Sequence, residues 1–195
     1  MTLPLRLQTV ADQVPHGASV LDVGCSDGLL LSHLAAHKGV DGRGIELDPA
    51  RVAAAVARGL SVVQGDADRD LAAFPDASVD IAILSEALQA MQQPDVVLGQ
   101  LLRIGRKAII SFPNFGHWRV RVDLLARGRM PVTPGLPQNW FETENIHLCT
   151  IADFRALAAR RGYRIESECH RAGGTRQNAW PNLLADQALF VLSKG

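Results

Sequence analysis

Three short runs carry the residue types that could do chemistry. The first is Val20-Leu21-Asp22-Val23-Gly24-Cys25-Ser26-Asp27-Gly28. It reads as a strand ending at Val23, a glycine-rich turn, and a helix opening near Asp27 or Gly28. Beyond the carboxyl end of a parallel strand such a turn offers backbone N–H groups to a ligand, and glycine leaves room for close approach. The spacing is not the dinucleotide G-x-G-x-x-G, and Asp22, two residues before Gly24, is foreign to that fingerprint. The second run is Gly44-Ile45-Glu46-Leu47-Asp48, with Glu46 at the predicted end of the next strand. A carboxylate there can accept hydrogen bonds from both hydroxyls of a ribose. The third is Gln64-Gly65-Asp66-Ala67, after a third strand. Any one of these acids alone reads more simply as a solvated loop residue or a helix cap. All three at the ends of successive strands favour a nucleotide-type pocket.

Other chemistry is less visible. His16, His33, His37, His117, His147 and His170 show no paired ligand spacing, so no metal site is expected. Ser85 and Glu86, after a fourth strand, could act on a substrate, although a plain helix start is the simpler reading. No catalytic base is identifiable. Cys25 reads as a small buried filler; a helix N-terminus beside it could lower its pKa, with a redox role the weaker alternative. His117 and His147 read as hydrogen-bonded structural residues.

The elements that must position these groups alternate along the chain. Ser19–Val23, Val40–Ile45, Leu60–Val63, Val79–Leu84 and Lys107–Phe112 read as strands; Leu29–His37, Pro49–Arg58 and Pro94–Leu102 read as helices. Asp48 before Pro49 is a good N-cap. This alternation predicts a parallel α/β sheet with helices on both faces. After Phe112 the pattern breaks until a helix at Ile151–Arg161 and strands at Tyr163–Cys169 and Ala188–Leu192. The intervening 113–150 is long for a loop. Residues 112–141 hold Phe112, Phe115, Trp118, Trp140 and Phe141, half of the ten aromatics, so burial and an ordered insertion are expected. A helix is predicted near Trp118–Ala126, with Trp118, Val122 and Leu125 on one face that reads as core. Arg119 and Asp123 have i, i+4 spacing for a surface bridge, within a cluster that also holds Arg121, Arg127 and Arg129. The expected organisation is one domain over 1–195, with 113–150 as a lid or docking segment.

Composition bounds the rest. The 195 residues are 47% hydrophobic, as a globular chain requires. Lys+Arg and Asp+Glu are both 20, and zero net charge disfavours a dedicated nucleic-acid binder. Cys25, Cys149 and Cys169 form no CxxC pair, which fits a reducing compartment. No secretory signal is evident and no apolar run approaches the ~18 residues of a membrane span. A cytoplasmic protein that contacts no membrane is expected.

The first run resembles motif I of class I S-adenosylmethionine (SAM) methyltransferases, D-x-G-x-G-x-G, with Ser26 where the middle glycine is usual. The segments Ser111-Phe112-Pro113-Asn114-Phe115-Gly116-His117-Trp118-Arg119-Val120-Arg121, Gly128-Arg129-Met130-Pro131-Val132-Thr133 and Asn145-Ile146-His147-Leu148-Cys149-Thr150 carry a more specific likeness. Together with Leu88-Gln89-Ala90, Leu136-Pro137, Trp140 and Asn182-Leu183-Leu184-Ala185, they make nearly the whole chain similar to the methionine biosynthesis protein MetW family. The resemblance implies a class I methyltransferase (Rossmann-like) fold with a seven-stranded sheet, its last strand antiparallel. It implies SAM or S-adenosyl-L-homocysteine as ligand, held by Asp22, Gly24, Cys25, Ser26, Gly28, Glu46, Leu47, Asp66, Ala67 and Ser85. It also implies a partner, the homoserine O-acyltransferase MetX, whose work in methionine synthesis the chain would support. The transferable methyl would point toward the end of the fourth strand; the absence of [ND]-P-P-[YF] disfavours methylation of nucleic-acid bases. The alternatives are an independent SAM-dependent methyltransferase acting on a small anionic metabolite, and a family relic with an empty pocket.

Overall fold

Alternating apolar residues along β4 (Val79–Ser85) dictate the layering: Ile81 and Ile83 face one side of the sheet, Ala82 and Leu84 the other, and all four are buried. The computed structural model describes residues 3–133 and 136–195. Its central strands are β1 (Ser19–Val23), β2 (Asp41–Glu46), β3 (Ser61–Gln64), β4 and β5 (Gly105–Pro113), all parallel. β8 (Gln187–Lys194) runs antiparallel beside β5, and β6 (Tyr163–Ala172) antiparallel beside β8. The expected antiparallel last strand is therefore present, but the sheet has eight strands instead of seven, ordered β3-β2-β1-β4-β5-β8-β6-β7. The extra one, β7, is the pair Thr175–Arg176, folded back on β6 by a two-residue Gly173-Gly174 turn with both φ values positive. Two residues are too short to leave an alternating pattern in a sequence.

Helices cover both faces. On one, α2 (Leu29–Lys38) brings Leu30, Leu31 and Leu34 against Val20, Ile81 and Ile83; α3 (Pro49–Ala57) adds Ala55. On the other, α5 (Pro94–Ile104) and α7 (Ile151–Arg161) pack Leu98, Leu101 and Phe154 against Leu21, Leu84 and Ile110. Phe154 joins Phe112 and Phe190 at centroid distances of 5.1 and 4.5 Å, locking α7 onto β5 and β8. The predicted cap at Asp48 is present, and a second one that the sequence reading did not single out accompanies it. Asp48 accepts the Ala50 amide at 2.8 Å, and Thr150 with Asp153 forms a capping box at the start of α7.

A helix that the hydrophobic pattern did not show, α1 (Leu5–Gln13), lies ahead of β1 and buries Thr9, Val10 and Ala11. Lys38 holds its end, donating from Nζ to the carbonyls of Ala11 at 2.7 Å and Val14 at 2.6 Å.

The segment 113–150 contains α6 (Trp118–Arg127), matching the predicted helix. Positions 134 and 135 of that segment lie outside the described residues. Buried Asn114 closes its two ends: its Oδ1 accepts the amides of Gly116 at 3.0 Å and Ile151 at 3.2 Å. Its Nδ2 donates to the Ala185 carbonyl at 2.7 Å, in the loop after α8 (Pro181–Leu184).

Three expectations for this segment are corrected. Only Val120 of α6 is buried; Trp118, Val122 and Leu125 are exposed, Leu125 by 90%, so the predicted core face is a surface. Trp140 and Phe141 are exposed as well, packing edge-on against each other. The ion pair on α6 joins Asp123 to Arg127 at 3.3 Å instead of to Arg119, whose guanidinium lies 5.4 Å from the Trp118 ring centre. Among the described residues no helix is long and apolar enough to cross a membrane.

Candidate functional site

Strand order reverses at β1, which lies between β2 and β4, and in open parallel sheets that switch leaves a crevice beyond the carboxyl ends. A cavity of about 750 Å³ occupies it. Asp22, Gly24, Cys25 and Ser26 from the first turn, Glu46 and Leu47 from the second, Asp66 and Ala67 from the third, and Ser85 from the fourth all line it. Gly28 does not. It is the N-cap of α2, where an added Cβ would sit 2.3 Å from Leu60 Cδ1 and 3.2 Å from Ala55 Cβ, so its small size serves helix packing.

Glu46 organises the mouth. It is 6% exposed, and its carboxylate accepts the Ser26 amide at 2.8 Å through Oε2 and the Asp48 amide at 3.0 Å through Oε1. One side chain thus fixes the turns after β1 and β2 together. The first turn is tightly wound: Gly24 has φ 70° and Ser26 φ 52°, both left-handed. A Cβ on Gly24 would come 3.1 Å from Ala87 Cβ, so the constraint there is the turn after β4. Serine at 26 carries a strain that glycine would not.

Asp22 sits beneath the turn, 2% exposed, and its Oδ1 has no hydrogen-bond partner among the described residues. Burial, then the charge of Glu46, pushes its pKa up to about 7. A group that donates hydrogen bonds, above all a cation, would satisfy this atom. Cys25 is buried against Gly44, whose missing Cβ makes room for the thiol. Burial, reinforced by Asp22 and Glu46, raises its pKa to about 12, the reverse of the lowering expected from a helix N-terminus. Asp66 caps α4 (Ala67–Asp70), accepting the Asp68 amide at 3.0 Å. Asp68 in turn accepts the amides of Gln92 and Gln93, each at 2.9 Å.

At the end of β4 the expected helix start is absent. Ser85 ends the strand, and Glu86 follows at φ 57° with its amide donating to the Ser111 carbonyl at 2.9 Å. Burial raises the Glu86 pKa, and Arg6 opposes it, its Nε lying 2.7 Å from Glu86 Oε2. Arg6 comes from α1 and was not singled out from the sequence; nothing in local spacing reveals that the N-terminal helix reaches the cavity. Glu144 and Asn145 of the segment 113–150 also line it, Glu144 reaching Arg51 at 3.8 Å. The Gln89 carbonyl, just beyond β4, holds that stretch by accepting the amides of Ile146 at 2.7 Å and His147 at 2.9 Å. His117 accepts the Arg119 amide within its own turn, and His147 meets the carbonyl of Gln92, remote in sequence, so both make hydrogen bonds within the fold. Among the described residues no three His, Cys, Asp or Glu side chains cluster as a metal site would require.

Comparison with known proteins agrees with this architecture. The family model for methionine biosynthesis protein MetW matches residues 6–192. A bifunctional methionine biosynthesis protein MetXA/MetW from Rhodopirellula baltica is 32% identical over 207 residues, covering 100% of this chain and 33% of the relative. A ubiquinone biosynthesis O-methyltransferase from Xylella fastidiosa is 35% identical over 57% of this chain and 48% of its own length. The chain thus spans about a third to a half of these curated relatives. Among solved structures, a TehB-like SAM-dependent methyltransferase from Corynebacterium glutamicum superposes with a TM-score of 0.66 at 18% identity, over 100% of this chain and 89% of that one. The fold is the Rossmann-like α/β fold of methyltransferases.

Proposed function

The chain belongs to the methionine biosynthesis protein MetW family, and on that premise we propose that it binds SAM or S-adenosyl-L-homocysteine and supports the homoserine O-acyltransferase MetX. The observation carrying the partnership is the Rhodopirellula relative, in which a MetW-like part matching all of this chain belongs to one polypeptide named MetXA/MetW. Two activities joined in one chain in one organism are well served by association when they are separate.

The cavity suits the ligand. Glu46 would take the ribose hydroxyls, and the turn Gly24-Cys25-Ser26 would lie along the ligand's backbone-facing edge. Asp22, with Oδ1 unpartnered, is suited to the ligand's cationic amino acid end. Leu47, Asp66 and Ala67 would border the adenine, and Ser85 the end nearest the methyl. When bound, SAM supplies an electrophilic methyl group on a sulfonium. No residue of the site stands out as a base for its transfer, which favours a supporting role over autonomous catalysis.

The segment 113–150 is proposed as the docking surface. Trp118, Val122 and Leu125 form an exposed apolar face, and Trp140 and Phe141 add exposed aromatics. Arg119, Arg121, Arg127 and Arg129 surround α6, and such aromatic and arginine surfaces dominate binding energy at interfaces. Glu144 and Asn145 carry the same segment to the cavity mouth. The free thiols of Cys25, Cys149 and Cys169 suit work in the cytoplasm. Purifying the chain with the acyltransferase, and measuring acyl transfer with and without it, tests the reading. A complex with raised acylation supports it; no complex and unchanged rates reject it.

The second reading is an independent SAM-dependent methyltransferase acting on a small anionic metabolite. The observation favouring it is Arg6, a cation at the cavity edge beside the end of β4.

A further inference from the structure

A second, smaller cleft adjoins the main cavity, and Arg6 and Glu86 line both. These two side chains form the partition. Arg6 Nε lies 2.7 Å from Glu86 Oε2, and Gln187 Nε2 donates to Glu86 Oε1 at 3.3 Å. Behind the partition lies Arg171, whose Nη1 donates to the Gly174 carbonyl at 2.7 Å while its Nε is buried with no partner among the described residues. Ser111 lines the same cleft, its hydroxyl 3.1 Å from that of Ser85.

Three features of this arrangement point to a ligand. The buried Nε of the half-buried Arg171 is a donor left without an acceptor among the described residues, and such a hydrogen bond is costly to leave unmade. The cleft brings two guanidinium groups together with one carboxylate, and among the described residues Arg171 makes no ion pair, which leaves one positive charge uncompensated. Arg6 and Gln187 both hold the Glu86 carboxylate, so the donors lining the cleft already converge on a carboxylate group. The cleft itself, about 10 Å³, holds roughly one water molecule. Arg6 is half exposed, so rotation of its side chain would merge the cleft with the larger cavity.

We propose that this cleft is a carboxylate-binding subsite for a small amino or hydroxy acid. Arg6 and Arg171 receive the carboxylate, Gln187 and Ser111 assist, and Glu86 accepts a hydrogen bond from the ligand's amino or hydroxyl group. The single uncompensated charge selects a monocarboxylate. The subsite lies at the end of β4, where an acceptor would meet a methyl donor. Its support is nonetheless the geometry of the chain alone, so its test needs neither SAM nor a partner.

The experiment is calorimetric titration of the chain with L-serine, lactate, ethanolamine and sodium chloride at matched ionic strength. L-serine and lactate should bind; ethanolamine, which lacks the carboxylate, and chloride should not. Arg6→Gln and Arg171→Gln should each weaken binding at least about tenfold, whereas Arg160→Gln on α7 should bind as the unaltered chain does. Arg171 also holds the Gly174 carbonyl, so if Arg171→Gln unfolds by circular dichroism, Arg6→Gln alone decides. Absence of carboxylate binding, equal response to chloride, or full affinity in Arg6→Gln overturns the subsite. SAM titration of the same samples reports on the nucleotide reading separately, so either can fail without the other.

Discussion

Glu46 at the end of β2 holds the Ser26 amide at 2.8 Å, so the turn that follows β1 is shaped by a carboxylate from the neighbouring strand. The same side chain holds the Asp48 amide. Glu46 therefore has a structural task beside any ligand, and its loss has two separable consequences. Glu46→Ala should lower stability of the free chain by about 1–3 kcal/mol, the cost of leaving such donors unmet. SAM at about 100 times its Kd should raise the stability of the unaltered chain by about 2.7 kcal/mol, a shift of roughly 5–10 °C. Thermal melts with and without SAM read both effects, and most of the shift should vanish in Glu46→Ala. A variant that is destabilised yet shifts fully would leave Glu46 a scaffold only.

Ser26 and Gly24 make opposite predictions from the same left-handed turn. Ser26→Gly should stabilise the free chain by about 1 kcal/mol, because serine at φ 52° is strained and glycine is not. Its melting point should rise by roughly 2–4 °C with ligand affinity kept or improved. Gly24→Val should abolish ligand binding. At φ 70° a branched side chain is strained, and its Cβ already crowds Ala87 at 3.1 Å before the ligand is considered. Titration of both variants is the check, and equal affinity of the valine variant would remove the turn from the ligand site.

Asp22 gives the chain a pH dependence whose sign is fixed by its environment. Its folded pKa of about 7 lies above the ordinary 3.8, so the native state keeps a proton that the unfolded chain releases. Stability should be highest below about pH 4 for this group, fall as the pH rises toward 7, and level off above it. The full effect is bounded by about 4 kcal/mol, three pKa units at ~1.4 kcal/mol each. Asp22→Asn should flatten that slope and leave the free chain more stable than the unaltered one at pH 8. A ligand carrying an ammonium group should bind the asparagine variant less well. Denaturant midpoints at pH 5 and pH 8 test the first claim and titration the second; a slope unchanged in Asp22→Asn would mean the carboxyl is not the titrating group.

The central strands and the site turns were legible because their signals are local: β-branched runs, a glycine-rich turn, acids at strand ends. Helix α7 occupies the predicted Ile151–Arg161, although the capping box of Thr150 and Asp153 and the Gly162 stop that set its bounds were not singled out. The misreadings share another cause. The spacing of Trp118, Val122 and Leu125 identifies a helical face but not what covers it, and the chain buries Val120 on the opposite side. Arg6, Glu144 and Asn145 reach the cavity from segments remote in sequence, where only the folded chain brings them together. Asn114 belonged to a family-like run, and its reason is the five backbone groups its side chain binds, two at the ends of 113–150 and three around α8.

The thiols offer a check on burial. Burial pushes the pKa of both Cys25 and Cys149 up to about 12, so at pH 8 almost no thiolate is available at either. In the folded chain neither should react with iodoacetamide over hours, while both should be modified in denaturant. Peptide mass mapping distinguishes the sites. Rapid native alkylation of Cys25 would mean that the turn opens readily and would revive a reactive role for it.

The exposed face of α6 makes the partner reading testable by single substitutions. Had Trp118 been core, its loss would have cost ~3–5 kcal/mol and obscured any effect on binding. Leu125→Arg, at a position 90% exposed, should change stability by less than about 0.5 kcal/mol, whereas Trp118→Ala, at 43% exposed, should cost about 1–2 kcal/mol, still well short of a core loss. Each should nevertheless weaken the complex with homoserine O-acyltransferase, Trp118→Ala by about 2 kcal/mol if it is an anchor of the interface. Arg127→Ala is confounded by its ion pair with Asp123, worth little in solution but able to orient the guanidinium, so Arg129→Ala is the cleaner charge probe. It should slow association and steepen no salt dependence, since removing a steering charge reduces both the on-rate and its sensitivity to ionic strength. SAM titrations should be unchanged in all three, because α6 contributes nothing to the cavity lining. Surface-immobilised acyltransferase with each variant in solution measures the complex directly. Full affinity in both Trp118→Ala and Leu125→Arg would move the docking surface elsewhere, and the exposed pair Trp140 and Phe141 would then be the next face to test.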